Sequence, residues 1–382
     1  MNSEVVEVYE KKSKDYFYNK SLNIIHNGEK NLKPLILENI AENSPSTLQC
    51  VETYGRFLSG AGFKLESLKD VNLNTNSHEF KNPNDLLSDI TDELKIHEGV
   101  FINIHYNALY EKTKFKVIPN NLCRLGKKDD NDFSGKIVVS EQGWGRSVKK
   151  KDLKLFDNYN PSPLAIEQQV IAAGGWHNYK GQIFYFRLNT KYSYAKSPLE
   201  TSYIYSDVER NLGLFYSSTV KRKFEDLTII KHRKFEDNSK KEDFINNVRD
   251  VSGLENSSSK LLIETDWDDE VNKDGDVKID TVKNETKADK YKHFEDSSAN
   301  MIRKTYQIPP QLVDFVAGKL GNTAGKDIVM AQSIYNTQTE KKRKKISSLF
   351  RELFTNYKDE INSLNDWDIK QYKLLPDGTT NE

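Results

Sequence analysis

Three stretches of this 382-residue chain carry residue types that could do chemistry. The first is VAGKLGNTAGKDIVMAQSIY, residues 316–335, where Gly318, Gly321 and Gly325 punctuate Lys319, Asn322, Thr323 and Lys326 ahead of an expected long helix. Glycine-rich segments before helix N-termini are places where backbone amides hold phosphates. A Walker-type loop, however, needs G-x-x-x-x-G-K-[ST] after a strand. Here Gly321 and Gly325 enclose three residues, and Asp327 stands where a magnesium-binding hydroxyl is required. A carboxylate at that place repels nucleotide, so the spacing argues against a nucleotide site. The second stretch is DWDDEVNKDGDVKID. With Gly275 at the glycine position of a calcium loop, Glu270, Asn272 and Asp274 fill the first ligand places, but Thr281 falls where a bidentate glutamate is needed. It reads as an acidic turn. The third feature is a pair of basic runs, Lys231, His232, Arg233 and Lys234, and EKKRKK at 340–345. On a helix, successive charges point all the way round, so the second run reads as a solvated or intersubunit face. The first reads as solvated, with a partner protein or DNA as its functional alternative.

Nothing else suggests catalysis. The seven histidines are scattered without an HExxH or His/Cys cluster, and no GxSxG elbow appears. The reading is therefore no enzyme, no metal and no cofactor. Composition sets further bounds. There are 57 Lys+Arg against 57 Asp+Glu, whereas a protein that wraps DNA tightly by counterion release is visibly basic. Contact with nucleic acid must then come from local patches or be weak. At 36% hydrophobic and 30% charged residues the core is thin for the length, which fits a subunit completed by its neighbours or one with long surface loops. Cys50 and Cys123 make no CxxC pair and read as reduced structural thiols. MNSEVVEVYEKK lacks an apolar signal core and no run approaches 18 apolar residues, so the expected product is soluble and intracellular.

The elements that must position these residues follow from periodicity. The first 30 residues are polar and read as weakly ordered. SPSTLQCVETYGRFLSGAGFKL places Leu48, Val51, Tyr54 and Leu58 at helical spacing, ended by Gly60 and Gly62. PNDLLSDITDELKIHEG repeats the pattern with Leu86, Ile90 and Leu94. VFINIHYNALYEKTKFKVIP reads as two strands around a turn near Leu109–Lys112, and KIVVSEQGWGR and GQIFYFRL read as strands in a loop-rich stretch. Residues 31–196 are thus an α+β body.

Beyond it, Ser197, Pro198 and Glu200 form a capping box with proline at the first helical position. Leu199, Tyr203, Val208, Leu212, Phe215 and Val220 then follow at helical spacing. A mixed segment with two short strands comes next. Thr286 and Asp289 make a second capping box for a helix with Tyr291, Phe294, Ser298, Met301 and Thr305 on one stripe, stopped at Pro309 and Pro310. A last helix carries Ile346, Leu349, Phe350, Leu353, Phe354 and Tyr357 on one face. At about 1.5 Å per residue each of the three helices spans roughly 35–45 Å, with few partners in its own chain.

Read in order, these parts from about residue 48 to 357 resemble the phage portal protein family of the HK97-like and SPP1-like type. SPLETSYIYSDVERNLGLFYSSTVKRKF resembles the helix before the family's middle insertion. FEDSSANMIRKTYQIPPQLV resembles the helix that runs into its proline turn. GKLGNTAGKDIVMAQSIYNTQTEKKRKKISSLFRELF resembles its loop and closing long helix, and EGVFINIHYN with FKVIPNNLCRL resembles the strand pair of its wing.

The resemblance implies a portal-type α+β subunit: a weakly ordered segment over 1–30, a wing over 31–196, a stem helix over 197–224 and a clip over 225–283. A second stem helix over 284–307, a tunnel loop over 308–326, a long wing helix over 327–357 and a tail over 358–382 with a reduced or absent crown complete it. It implies a homo-oligomeric ring, usually of twelve, at one capsid vertex of the virion, assembled in the host cytoplasm. Double-stranded DNA is packaged through such a ring by a terminase motor and later ejected. The implied partners are the terminase large subunit, a head-to-tail adaptor, and the major capsid and scaffolding proteins, with no membrane. The tunnel loop would contact DNA through Lys319, Asn322, Thr323 and Lys326 and bend at Gly318, Gly321 and Gly325. The clip would meet partners through Lys231, His232, Arg233 and Lys234. Two rival readings stay open: another virion structural protein, such as a head-to-tail connector or capsid subunit, and a nucleotide-dependent DNA-processing enzyme.

Overall fold

The computed structural model describes residues 18–28, 30–73, 80–128, 135–145, 148–221, 227–232, 238–252, 260–264, 277–282, 288–313, 322–359 and 366–373. Two units divide the chain, Met1–Ser206 with Ala299–Glu382, and Asp207–Ser298.

In the first unit a short hairpin, β1 (Tyr18–Asn19) and β2 (Ile24–Ile25), precedes three helices, α1 (Lys33–Asn43), α2 (Pro45–Ser59) and α3 (Pro83–His97). Sequence chemistry fixes the ends of α3. Asn82 accepts hydrogen bonds from the amides of Asn84 (2.8 Å) and Asp85 (3.0 Å), Asp85 accepts one from the Asn82 amide (2.8 Å), and Pro83 occupies the first turn. Gly60 ends α2 at φ +58°, where a Cβ would lie 1.9 Å from the Lys370 carbonyl oxygen. Only glycine fits that crossing.

The strands β3 (Gly99–Tyr106), β4 (Lys112–Ile118), β5 (Cys123–Leu125), β6 (Lys136–Ser140), β7 (Leu153–Asn158) and β8 (Gln182–Arg187) form a sheet of order β4-β3-β8-β7-β6-β5. The β3–β4 hairpin is the expected one, pairing Phe101 with Ile118 and Ile104 with Phe115. The stretch read as loop-rich holds more order than its composition suggests. It contains β7 and a helix, α4 (Pro163–Ala173), which carries the crossover to β8 that a parallel pair requires.

Helices cover one face of this sheet. Val100, Ile102 and Ile104 of β3 pack into a core with Val51, Tyr54, Phe57 and Leu58 of α2 and Leu86, Ile90 and Leu94 of α3. Phe101, Ile137, Val139, Phe156 and Ile183 form a second cluster. Alternate β3 residues thus serve opposite faces, which is why the strand is buried from Gly99 to Ile104. Leu48, expected on the buried stripe of α2, is 42% exposed, because Cys50 and Phe57 turn inward instead. Neither cysteine is in a disulfide, and both are buried.

The helix α8 (Asn322–Phe354) is 33 residues long, about 50 Å. Its expected face, Ile346, Leu349, Phe350, Leu353 and Phe354 with Tyr357 beyond, is buried in the same core as α2 and α3. Fully burying such a side chain stabilises the fold by about 1.5–3 kcal/mol. The C-terminal half of α8 therefore has many partners in its own chain, contrary to the expectation drawn from helix length. The segment after it also packs inward: Trp367 is wholly buried, stacked on Phe354 at 4.4 Å and edge-on to Phe63 at 5.2 Å. Its backbone ties to α2's end, with the Lys370 amide donating to Gly62 (2.8 Å) and the Lys64 amide to Asp368 (2.8 Å).

The second unit contains a three-stranded sheet of order β10-β9-β11, from β9 (Leu227–His232), β10 (Lys260–Glu264) and β11 (Val277–Val282). The parallel β9–β10 pair is bridged by α6 (Asn238–Ser252), and β11 runs antiparallel to β9. The chain enters this unit along α5 (Leu199–Lys221) and leaves along α7 (Ala288–Thr305), so the division of the chain falls inside both helices. At 18 residues, about 27 Å, α7 is shorter than expected. Its stripe is in part misread in sequence. Ser298 is buried as expected, but Phe294 and Met301 are exposed, and Ile302 and Tyr306 are buried in their place.

Candidate functional site

The start of α5 is capped as its sequence suggests. The Ser197 hydroxyl accepts from the Leu199 amide (3.1 Å) and donates to the Ile96 carbonyl, and Glu200 accepts from the Ser197 amide (3.1 Å). Glu200 also pairs with Lys33 at 2.6 Å, tying the entry of α5 to α1.

The sequence singled out four groups of residues. Of the loop ahead of α8, Gly318, Lys319 and Gly321 lie outside the described residues. Asn322 begins α8, so Thr323, Gly325 and Lys326 lie in its opening turns, five residues ahead of the helix start expected at Asp327. Gly325 is helical and Lys326 is exposed. The glycines delay a sequence-based helix start, but a glycine costs only about 1 kcal/mol inside a helix. In the second unit, Lys231 and His232 close β9. Lys231 is in register with Ile263 and Lys278, and His232 with Glu264 and Val277. Arg233 and Lys234 lie outside the described residues, as does most of the acidic stretch with Glu270, Asn272, Asp274 and Gly275; Thr281 belongs to β11.

The fourth group, EKKRKK, departs most from its reading. Arg343 is buried. Its guanidinium donates to the carbonyls of Phe57 (2.9 Å) and Asn336 (2.6 Å) and to the Thr339 hydroxyl (2.6 Å). Burial lowers its pKa. Lys345 donates to the Leu188 carbonyl at 2.7 Å. Lys342 pairs with Glu98 at 2.7 Å, donates to the Tyr54 hydroxyl at 2.6 Å and sits over the Tyr54 ring, 4.7 Å from its centre. Lys344 keeps the solvated role, paired with Glu340 one turn earlier at 2.7 Å. Long apolar stems let these cations reach polar partners from beside a core. Half of the run, Lys342, Arg343 and Lys345, pins the helix to its own chain, while Glu340, Lys341 and Lys344 are exposed as the sequence suggests.

Glu98 is the hub of these contacts. It follows α3 in the left-handed region at φ 56°, with its side chain 4% exposed. Its carboxylate accepts from the Tyr54 hydroxyl and Lys342 and faces Asn189 at 3.5 Å. Burial and the Glu98 charge hold the Tyr54 phenol far above its ordinary range, so it stays a donor. A cavity of about 460 Å³ adjoins the hub, lined by Tyr54, Glu98, Ser197, Tyr306, Tyr335 and Lys342 among others. Its walls come from α2, from α8, and from the segments where the chain leaves for the second unit and returns from it. The Tyr335 hydroxyl donates to the Tyr306 carbonyl at 3.1 Å, fixing the return to α8. The chemistry here is mutual neutralisation and hydrogen bonding, which suits a joint. Among the described residues no group of three or more His, Cys, Asp or Glu is placed to hold a metal ion, and no helix is long and apolar enough to cross a membrane.

Sequence reasoning gave Glu98 and Trp367 no role. A lone glutamate after a helix carries no periodic signal. Trp367 and Ile369 do alternate, but over too few residues for a strand to be read.

No protein-family model and no curated protein sequence matches the chain. Solved structures do. A chain from the neck of an empty gene transfer agent particle, computed with C6 symmetry, superposes with a TM-score of 0.51 at 10% identity, covering 87% of this chain and 86% of that one. A chain from the virion of the native gene transfer agent particle gives 0.49 at 9% identity over 83% and 79%. An HK97 family phage portal protein from Corynebacterium diphtheriae gives 0.38 at 11% identity over 76% and 84%. The protein thus shares its fold with a chain of a gene transfer agent particle neck, and the α+β fold class read from its sequence holds.

Proposed function

We propose that this protein is a portal-type subunit that assembles into a ring at a capsid vertex and acts as a passive conduit for double-stranded DNA. The observation that carries the reading is the shared fold with a chain of a symmetric particle neck, over most of both chains. Two internal features support it. A smaller unit is inserted between α5 and α7, as a clip between two stem helices would be. A glycine-bearing segment precedes a long helix, as a tunnel loop would precede a wing helix.

In this reading Lys319, Asn322, Thr323 and Lys326 face passing DNA. A conduit must touch DNA without holding it, since every strong phosphate contact becomes a barrier to the next step. Two lysines beside Asp327 on a neutral chain meet that need. The smaller unit, with Lys231 to Lys234, serves as the docking end for the terminase motor and then the head-to-tail adaptor. Symmetric closure needs a heterologous interface on both flanks of the subunit. Val329, Met330 and Ile334, all exposed in the N-terminal half of α8, offer apolar surface for it. No catalytic step is assigned.

Deleting Lys319–Gly325 tests the reading. Rings are expected to form as in the unaltered protein while packaged DNA per particle falls to background. Normal packaging by this variant contradicts the DNA-facing role, and failure of the unaltered protein to form any ring contradicts the portal reading itself.

A further inference from the structure

One edge of the six-stranded sheet is β4, and the chain crosses that edge again just after α8, where Tyr357 meets Lys112. The Lys112 amide donates to the Asn356 carbonyl (2.9 Å), and the Lys358 amide donates back to the Lys112 carbonyl (3.0 Å). The Asn356 side chain adds a bond to the Tyr110 carbonyl (2.9 Å). At this point the edge strand presents no unpaired backbone to solvent.

The side chain of Lys112 is buried beside the crossing and has no part in the conduit reading. Its Nζ donates to the Tyr159 hydroxyl (2.8 Å) and to the Glu352 carbonyl (2.5 Å). The Tyr159 hydroxyl in turn donates to the Glu352 carboxylate (2.5 Å), so the lysine reaches that charge only through the tyrosine. The number of donors is what matters here. A neutral amine carries two N–H groups and an ammonium three. Among the described residues Nζ has two hydrogen-bond acceptors, and neither is a carboxylate. The cage therefore satisfies the amine, while the third N–H of an ammonium finds only the Tyr159 ring, its centre 5.1 Å away.

We infer that Lys112 is a proton-operated latch: as the neutral amine it holds residues 356–358 on the β4 edge, and on taking up a proton it loosens them while the rest of the sheet stays folded. The other titratable groups around it have partners of their own. Tyr106 of β3 donates to Gln182 (2.9 Å), and Tyr357 donates to the Thr113 carbonyl (3.4 Å). Glu111 accepts from the Asn107 side chain (2.8 Å), and Lys358 lies 3.8 Å from Asp359. Glu352 supplies the one charge that favours the ammonium; burial outweighs it and pushes the lysine's pKa down to about 8. A released lysine titrates near its ordinary value of about 10.5, so the open form binds more protons and gains as pH falls through this window. The latch lies within the first unit and does not depend on the ring reading.

The test is hydrogen exchange of the full-length protein followed by mass spectrometry, with each rate divided by the intrinsic rate at its pH. From pH 9.5 to pH 7 the protection of peptides covering Lys112 and residues 356–358 should fall by roughly tenfold or more. Protection of β3 over the same range should stay within about twofold. Lys112→Met keeps an unbranched side chain but removes the titration, and should abolish the pH dependence whatever its absolute protection. Three results overturn the proposal: protection of the crossing that does not change with pH, an undiminished pH dependence in Lys112→Met, or an equal loss across β3. The first and last are read on the unaltered protein and decide the matter even where the methionine variant does not fold.

Discussion

Two lysine-rich stretches of the same unit show how little a charge run says by itself. KKRKK at 341–345 and KKKDLK at 149–154 are alike in composition, yet the first is drawn inward and the second stays on a surface. In α8 the turn of the helix carries Arg343 to the Phe57 carbonyl, Lys342 to Glu98 and Lys345 to the Leu188 carbonyl, leaving Lys341 and Lys344 outside. At 149–154 a short 3-10 turn leads into a strand whose neighbouring residues Lys154 and Leu155 are both exposed, so Lys149, Lys150, Lys151 and Lys154 stay on the surface instead of pinning a core. What differs is the phase of each element against the core it packs on.

The sharpest way to break this contrast is at Arg343. Arg343→Ala should cost about 2–4 kcal/mol in urea unfolding, since it strands buried carbonyl acceptors of α2 and α8. Lys344→Ala should leave the midpoint unchanged. A third lysine extends the comparison. Lys112 is 1% exposed and donates to the Tyr159 hydroxyl (2.8 Å) and the Glu352 carbonyl (2.5 Å). Burial pushes its pKa down to about 8. Between that value and its ordinary value near 10.5 the unfolded chain binds the extra proton, so folding gains stability as pH rises through this window. Relative to Lys112→Met, the native protein should gain about 1–3 kcal/mol on going from pH 8 to pH 10. An unchanging difference would mean that the lysine titrates alike in both states. Glu98→Gln keeps the shape of the hub but removes its charge, and should cost about 1–2 kcal/mol, read by the same unfolding. The smallest effect belongs to the exposed Lys127 and Lys150, where Lys127→Gln and Lys150→Gln should not move the midpoint measurably.

Much of the α+β body was legible because its signals are local. The capping box at Ser197, the hairpin from β3 to β4 and the apolar face Ile346–Phe354 depend on neighbours a few residues away. The parts that escaped depend on distant partners. Trp367 packs on Phe63, some 300 positions earlier, and the stripe of α7 is set by which side Ile302 and Tyr306 must bury, not by Phe294 and Met301. Of the candidate site, the glycine and lysine residues ahead of α8 could be named from sequence, but not the extent of the helix that takes up Asn322 to Lys326. The Glu98–Lys342 pair joins residues 244 positions apart, and neither residue carries a pattern of its own.

The most direct test of the central claim is a two-dimensional class average of the purified full-length protein by electron microscopy. A portal-type subunit predicts closed rings with a central hole wide enough for duplex DNA. Particles that stay monomeric at every concentration, or that assemble into shells or sheets, would contradict it.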